Sequence, residues 1–293
     1  MSRLPSFLIL IASAAIAALS QTATYTDEFP AVSPDAKRIV FMSDRDGYIE
    51  IYVMGVDGTG AQRLTHSPGR DAHPEWSPDG KKIYFQSPRE TALPQVFVMN
   101  ADGSDQRRLT NNTGFTGVPL VSPDGKKILY MVNEGPDLQE HVHWQIYLMD
   151  VDGKHQHALS PSTANDQVPR WSHDGKKILF YTNASGSDQL YLMKANGTHR
   201  RMLTDGAHNN KTGVWSGDGK RIAFKSDRSG KWGIYVMRAD GKNAKLLTED
   251  CEEFGHPTWS ADDQQIFYTA THDGATRIWV MNADGSGVRP LVR

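Results

Sequence analysis

Cysteine occurs once in the 293 residues, as Cys251, so no intramolecular disulfide can form and stability must come from packing. An excess of one charge sign is also missing: 32 lysines and arginines stand against 34 aspartates and glutamates, a formal net charge of −2. Acids and bases are scattered through the chain, and without a basic face a nucleic-acid partner is excluded. No Gly-x-Ser-x-Gly nucleophile elbow occurs, and no glycine-rich loop joins a strand to a helix, so neither an α/β-hydrolase serine nor a phosphate cradle is expected. Apolar content of 38% is enough for a globular core and too little for a chain that lives in lipid.

The long apolar run, Phe7 to Leu19, falls in a segment whose only charge is Arg3, and the small residues Ala18 and Ser20 stand where signal peptidase requires them. Residues 1–20 therefore read as a signal peptide cleaved after Ser20, followed by a short lead over 21–27. The run is shorter than a bilayer-spanning helix. No cysteine follows the cut to carry a lipid. Cleavage removes Arg3 and leaves a charge of −3 on a chain expected to be periplasmic or secreted, monomeric and without membrane insertion.

What the chain has is a period. Ser33-Pro34-Asp35-Ala36-Lys37-Arg38-Ile39 returns as SPDGKKI from Ser77 and Ser122, SHDGKKI from Ser172, SGDGKRI from Ser216 and SADDQQI from Ser260, at spacings of 44, 45, 50, 44 and 44. In step with it run IYVMGVDG from Ile51, VFVMNADG from Val96, IYLMDVDG from Ile146, LYLMKANG from Leu190, IYVMRADG from Ile234 and IWVMNADG from Ile278. A third element closes each unit, as in Arg63-Leu64-Thr65, Arg108-Leu109-Thr110 and Met202-Leu203-Thr204.

Proline presets φ and glycine accepts positive φ in the Ser-Pro-Asp-Gly segment, making a tight link between antiparallel strands. The strand before it ends in Trp76, Trp171, Trp215 and Trp259, and Val32 and Val121 take that place in the other units. Four short strands in about 44 residues match one blade of a propeller. Large apolar residues on both alternating faces, such as Ile51 and Val53 against Tyr52 and Met54, fit a sheet packed on two sides. The expected fold is all-β: a six-bladed propeller over 28–293, with four-stranded antiparallel blades at about 28–65, 72–110, 117–160, 167–204, 211–248 and 255–292. Each unit starts at its inner strand, so closure is expected to rest on packing of the last blade against the first, with a strand from Thr22 to Thr26 as the alternative.

The units Trp-Ser-Pro-Asp-Gly-Lys-Lys-Ile, Ile-Tyr-Val-Met-Asn-Ala-Asp-Gly and Arg-Leu-Thr resemble the propeller repeats of the TolB family from about Glu28 to Val292. That resemblance implies a non-catalytic binding or scaffold propeller of the cell envelope, with an envelope protein such as a Pal-like lipoprotein, or a small polar or carbohydrate ligand, as partner. Members of the family carry an α/β domain ahead of the propeller, and only a few residues separate Ser20 from the first blade here. Similar repeats occur in peptidase propellers and polysaccharide lyases, so a metal-assisted uronate lyase with His73 or His256 as proton-abstracting base is the alternative.

The turns of the repeat fall on one face and the variable connections on the other, where a site is expected. Sixfold geometry sets Asp27, Asp71, His73, Asp166 and His256 around one channel mouth, a set suited to a polar ligand or to a divalent cation, calcium for the carboxylates or a transition metal for the imidazoles. An insertion in blade 3 brings His141 and His143, two apart and pointing the same way if extended, to the same face. His155, His157, His173 and His199 fall near the opposite turns.

Overall fold

The computed structural model describes residues 25–133, 143–161, 165–249, 256–272 and 275–291. Their strands form six sheets, each of four strands consecutive in sequence with antiparallel neighbours. This is the six-bladed propeller that the period predicts. Among the described residues no sheet takes a strand from the opposite end of the chain. Residues 22–24, most of the alternative closing strand, lie outside the described residues.

Blade 1 shows how the repeat folds. Its inner strand, Asp27–Val32, turns through Ser33 to Ala36 into a second strand, Arg38–Ser43, then a third, Glu50–Gly55, and a two-residue outer strand, Gln62–Arg63. In the first turn the Ser33 hydroxyl donates to Asp35 at 2.5 Å and accepts the Arg38 amide at 2.9 Å. The same serine bridge recurs in the five other blades, from Ser77 to Ser260. Each of these aspartates is held below the usual carboxylate range, first by its serine hydroxyl.

The strands alternate between two neighbours. Ile39, Phe41, Tyr52 and Met54 pack on Phe267, Ile278, Val280 and Leu291 of blade 6, while Val40, Met42, Ile51 and Val53 pack on Trp76, Ile83, Phe85 and Phe97 of blade 2. Burial on both faces removes apolar surface from water twice per sheet, at roughly 25 cal/mol per Å². Three of the tryptophans ending inner strands reach back across their junctions: Trp76 Nε1 donates to the Ala31 carbonyl at 3.1 Å, Trp171 to Leu120 at 3.2 Å and Trp259 to Val214 at 3.3 Å.

In blades 1 to 4 the leucine after the outer strand and the threonine or serine that follows it have separate tasks. Thr65 Oγ1 accepts the Ile51 amide at 2.9 Å and donates to the buried Glu50 carboxylate at 2.5 Å. Thr110 with Gln95 and Thr204 with Gln189 repeat this with an amide in place of the acid. The leucine receives the glycine of the neighbouring third-to-outer turn. At Gly241, φ is +89° and an added Cβ would stand 2.3 Å from the Leu203 carbonyl; at Gly58, φ is +85° and the carbonyl of Leu291 is 2.5 Å away. The second contact joins blade 1 to blade 6, so the ring closes by the contact that joins neighbours elsewhere.

Candidate functional site at the channel mouth

Every inner strand from blade 1 to blade 5 is interrupted by a register shift against its partner. At the interruption stands a non-glycine residue in left-handed backbone: Phe29 at φ 54°, His73 at 52°, Val118 at 53°, Val168 at 47° and Thr212 at 49°. Four of the five precede proline, at 30, 74, 119 and 169. Such backbone costs on the order of 1–3 kcal/mol per residue and persists only where surroundings hold it. A bulge re-aims side chains at the rim of a sheet. Here it brings Phe29, His73, Val118 and Val168, with His256, to the wall of an axial vestibule of about 410 Å³.

Below these residues the channel narrows to a cavity of about 30 Å³, room for about one or two waters. Glu75 from blade 2 and Arg170 from blade 4 line this cavity and meet across it at 3.1 Å. Burial pushes the Glu75 carboxyl above its ordinary range, and Arg170 pulls it partly back. The vestibule is therefore a bowl that narrows toward the Glu75–Arg170 pair. Phe29 is the hub of its floor, with its ring 4.1 Å from that of His73 and 4.4 Å from that of His256. Burial, then Arg70 and Arg170, pushes His73 down to about 3. Burial, then Lys225, takes His256 well below the usual histidine range. Both imidazoles are neutral near pH 7, free to accept or donate one hydrogen bond each.

The carboxylates expected beside them lie elsewhere. Asp27, Asp71 and Asp166 are 1%, 0% and 0% exposed and turn into their own blades. Asp27 pairs with Arg45 at 2.7 Å, Asp71 with Arg89, and Asp166 with both terminal nitrogens of Arg200 at 2.6 and 2.8 Å. In blade 5 Asn210 takes this place and accepts from Arg228 at 2.8 Å. Each arginine also lies on an aromatic ring of the second strand: Phe41, Phe85, Phe180 or Phe224. Asp71 remains above its ordinary range because burial outweighs the Ser87 hydroxyl and Arg89. The expected convergence of three carboxylates with two histidines thus does not occur. In a regular strand Asp71 and His73 would share a side, and the left-handed residue between sheet and mouth separates them.

These aspartates are committed to guanidinium partners, and among the described residues no group of three or more His, Cys, Asp or Glu is gathered to hold a metal ion. The described residues therefore do not fit the calcium or transition-metal site expected from the sequence. His143 is exposed beside Trp144, and His141 lies outside the described residues.

Residues that the repeat pattern does not single out, Arg70, Gln86, Phe115, Met131 and Tyr181, complete the bowl. Phe115 and Trp144 meet edge to face with ring centres 5.1 Å apart. Gln86, Met131 and Tyr181 occupy one equivalent position near the end of the second strand in blades 2, 3 and 4 and line the wall together. Tyr181 donates to Gln167 at 2.8 Å, and Gln86 Oε1 accepts the Val118 amide at 3.2 Å. Glu28 and the exposed Arg70 contribute charge of opposite sign. Repeat alignment alone carried the signal for the Gln86, Met131 and Tyr181 ring; nothing local marked it.

Comparison with known proteins places the molecule. The family model described as TolB beta propeller domain matches residues 7–143 and 137–293. TolB from Acinetobacter baumannii is similar in structure with a TM-score of 0.73 at 23% identity, covering 89% of this chain and 62% of that one. The chain thus spans less than two thirds of that protein's length. A putative TolB from Agrobacterium tumefaciens aligns at TM-score 0.65 and 21% identity over 81% of this chain and 86% of that one. An oligogalacturonate lyase from Vibrio parahaemolyticus aligns at 0.66 and 14%, over 92% and 78%. No curated protein matches the sequence closely.

Proposed function

We propose that this chain, which belongs to the TolB beta propeller domain family, is a binding module of the cell envelope that receives an apolar or aromatic anchor of a partner protein in the axial bowl. The observation that carries this reading is the bowl's chemistry. It is about 410 Å³, narrowed below, walled by Phe29, Phe115, Met131, Trp144 and Tyr181, and edged by a few polar groups. Concave apolar surface with sparse oriented polar groups is what an anchor residue requires, and tryptophan and tyrosine dominate binding energy at interfaces.

A Pal-like envelope lipoprotein is the partner to try first, in keeping with the family, and residues 1–20 as an export signal put the chain in the periplasm or outside the cell. Titration calorimetry of the intact mature chain with such a lipoprotein is expected to give saturable binding. Trp144→Ala is expected to weaken it by roughly 30-fold, the usual loss of about 2 kcal/mol at a central aromatic anchor. Equal affinity of Trp144→Ala and Phe115→Ala variants with the unchanged protein would remove the bowl as the docking site.

The likeness to an oligogalacturonate lyase, with His73 and His256 in the bowl, supports a second reading as a uronate lyase. It is the weaker one. A base is most useful with its pKa near the working pH, and His73 sits at about 3. Release of unsaturated product from a uronate oligomer, abolished by His73→Gln, would reverse the order of the two readings.

A further inference from the structure

On the opposite face, where the strands turn, the junctions between blades are built from one plan with one changed part. In blade 1 the second strand opens with Arg38, whose guanidinium lies 4.7 Å from the ring centre of Trp76 in blade 2. In blade 5 it opens with Arg221, 4.5 Å over Trp259 of blade 6, and Arg221 Nη2 also donates at 3.2 Å to the carbonyl of Asp263 in the blade 6 turn. A guanidinium plane over an indole, with a turn carbonyl at its edge, is a complete arginine slot.

Blade 3 opens the same strand with Lys127. Its register partner on the third strand is Asp150, where blade 1 has Gly55 and blade 5 has Arg238. Lys127 Nζ is bound by the Asp150 carboxylate, which His155 also contacts. Trp171, the indole this position would cover, is held by its bond to Leu120, is only partly buried, and forms part of the wall of a groove of about 700 Å³. Leu148 and Leu159 also line the groove, together with the carboxylates of Asp124 and Asp174. Gly175, at the turn position equivalent to Asp263, lines it too. Blade 4 also opens with a lysine, Lys177, before the partly exposed Trp215, but the large groove is the one at Trp171.

We propose that the groove between blades 3 and 4 is a vacated arginine slot that takes an exposed arginine side chain of a partner protein, stacked on Trp171 and bonded to Asp174 and the Gly175 carbonyl. Two carboxylates face the groove, Asp124 and Asp174, both held below the usual range first by serine hydroxyls, and Lys127, His157 and His173 stand on the same wall, so the stack on Trp171 must supply what the mixed charge does not. The geometry agrees, since the chain itself fills two sister slots with arginine. A lysine partner would satisfy the charge without the planar stack. The site lies across the ring from the bowl, and its test is independent of what the bowl binds.

The test is an NMR titration of the mature chain carrying ¹⁵N-tryptophan, with the Trp171 indole signal assigned by Trp171→Phe. A Gly-Arg-Gly amide is expected to shift that signal saturably, with Gly-Lys-Gly amide weaker by roughly tenfold. The double variant Lys127→Arg, Asp150→Gly rebuilds the arrangement of Arg38 and Gly55. It is expected to melt like the unchanged protein and to lose the shift, because its own arginine occupies the slot. Asp174→Asn, which keeps the fold's turn, is expected to weaken the peptide several-fold. The proposal is overturned if the arginine peptide leaves the Trp171 signal unmoved. It is overturned equally if methyl glucoside moves the signal as strongly, which would make the groove a sugar platform, or if a folded double variant still responds in full.

Discussion

At one end of the ring, six serines make the same pair of bonds in six turns, and the aspartates they hold are all ionised below the usual range. At the other end, a left-handed residue recurs in five inner strands, yet the side chains it presents are Phe29, His73, Val118, Val168 and Thr212. Side chains at the first end serve the backbone, so they repeat. At the second end the backbone serves the side chains, so conformation repeats while chemistry differs. In four of the five strands a carboxylate or amide bonded to a partly buried arginine pins the chain two residues away, at Asp27, Asp71, Asp166 and Asn210, and helps hold the strained residue.

The sharpest break of this contrast is to remove a pin. Asp71→Ala leaves Arg89 with an uncompensated, largely buried charge and is expected to cost about 3–5 kcal/mol in urea denaturation. Asp71→Asn should cost much less, since blade 5 uses Asn210 with Arg228 in the same place. A smaller loss, roughly 1–3 kcal/mol, is expected for Gly241→Ala, which combines unfavourable φ with a carbonyl 2.3 Å from the new carbon. On the turn face Ser77→Ala removes one bridge of six and should cost about 1 kcal/mol, with the five others intact.

Smallest at neutral pH is His73→Gln, whose effect is on slope. Unfolded histidine takes up a proton below about pH 6.5, while His73 in the folded protein refuses it until about 3. The unfolded state therefore binds more protons between those limits, and stability falls as pH drops through that window. His256 acts in the same direction, whereas Glu75, raised by burial, acts against both above the ordinary carboxyl range. Thermal melts from about pH 7 to 4.5 should show a shallower decline for His73→Gln than for the unchanged chain. Parallel curves would mean that His73 is solvated in the folded state and that the bowl floor is open.

The fold was legible because turn chemistry is local. Proline, aspartate and glycine act within four residues, and a repeated period lines six such signals up at once. The site was legible only in part. His73 and His256 were placed at the mouth by counting from the repeat. Asp27, Asp71 and Asp166 were placed there by the same count and went into the blades, because a residue before proline is expected to be extended and here is left-handed. Three of the arginine partners stand in a common local pattern, Ser43-Asp44-Arg45, Ser87-Pro88-Arg89 and Ser226-Asp227-Arg228. Arg200 falls outside it, since blade 4 supplies the same guanidinium from the approach to its outer strand. Nor could any local pattern pair Glu75 with Arg170, which are 95 residues apart.

That last pair sets the traffic rules of the molecule. With Glu75 and Arg170 meeting across an axis reduced to about 30 Å³, the propeller has a waist between its two faces. A side chain seated in the bowl therefore faces an ion pair where the passage is narrowest. The two faces are thus separate addresses on one disc, each able to hold its own occupant without either displacing the other.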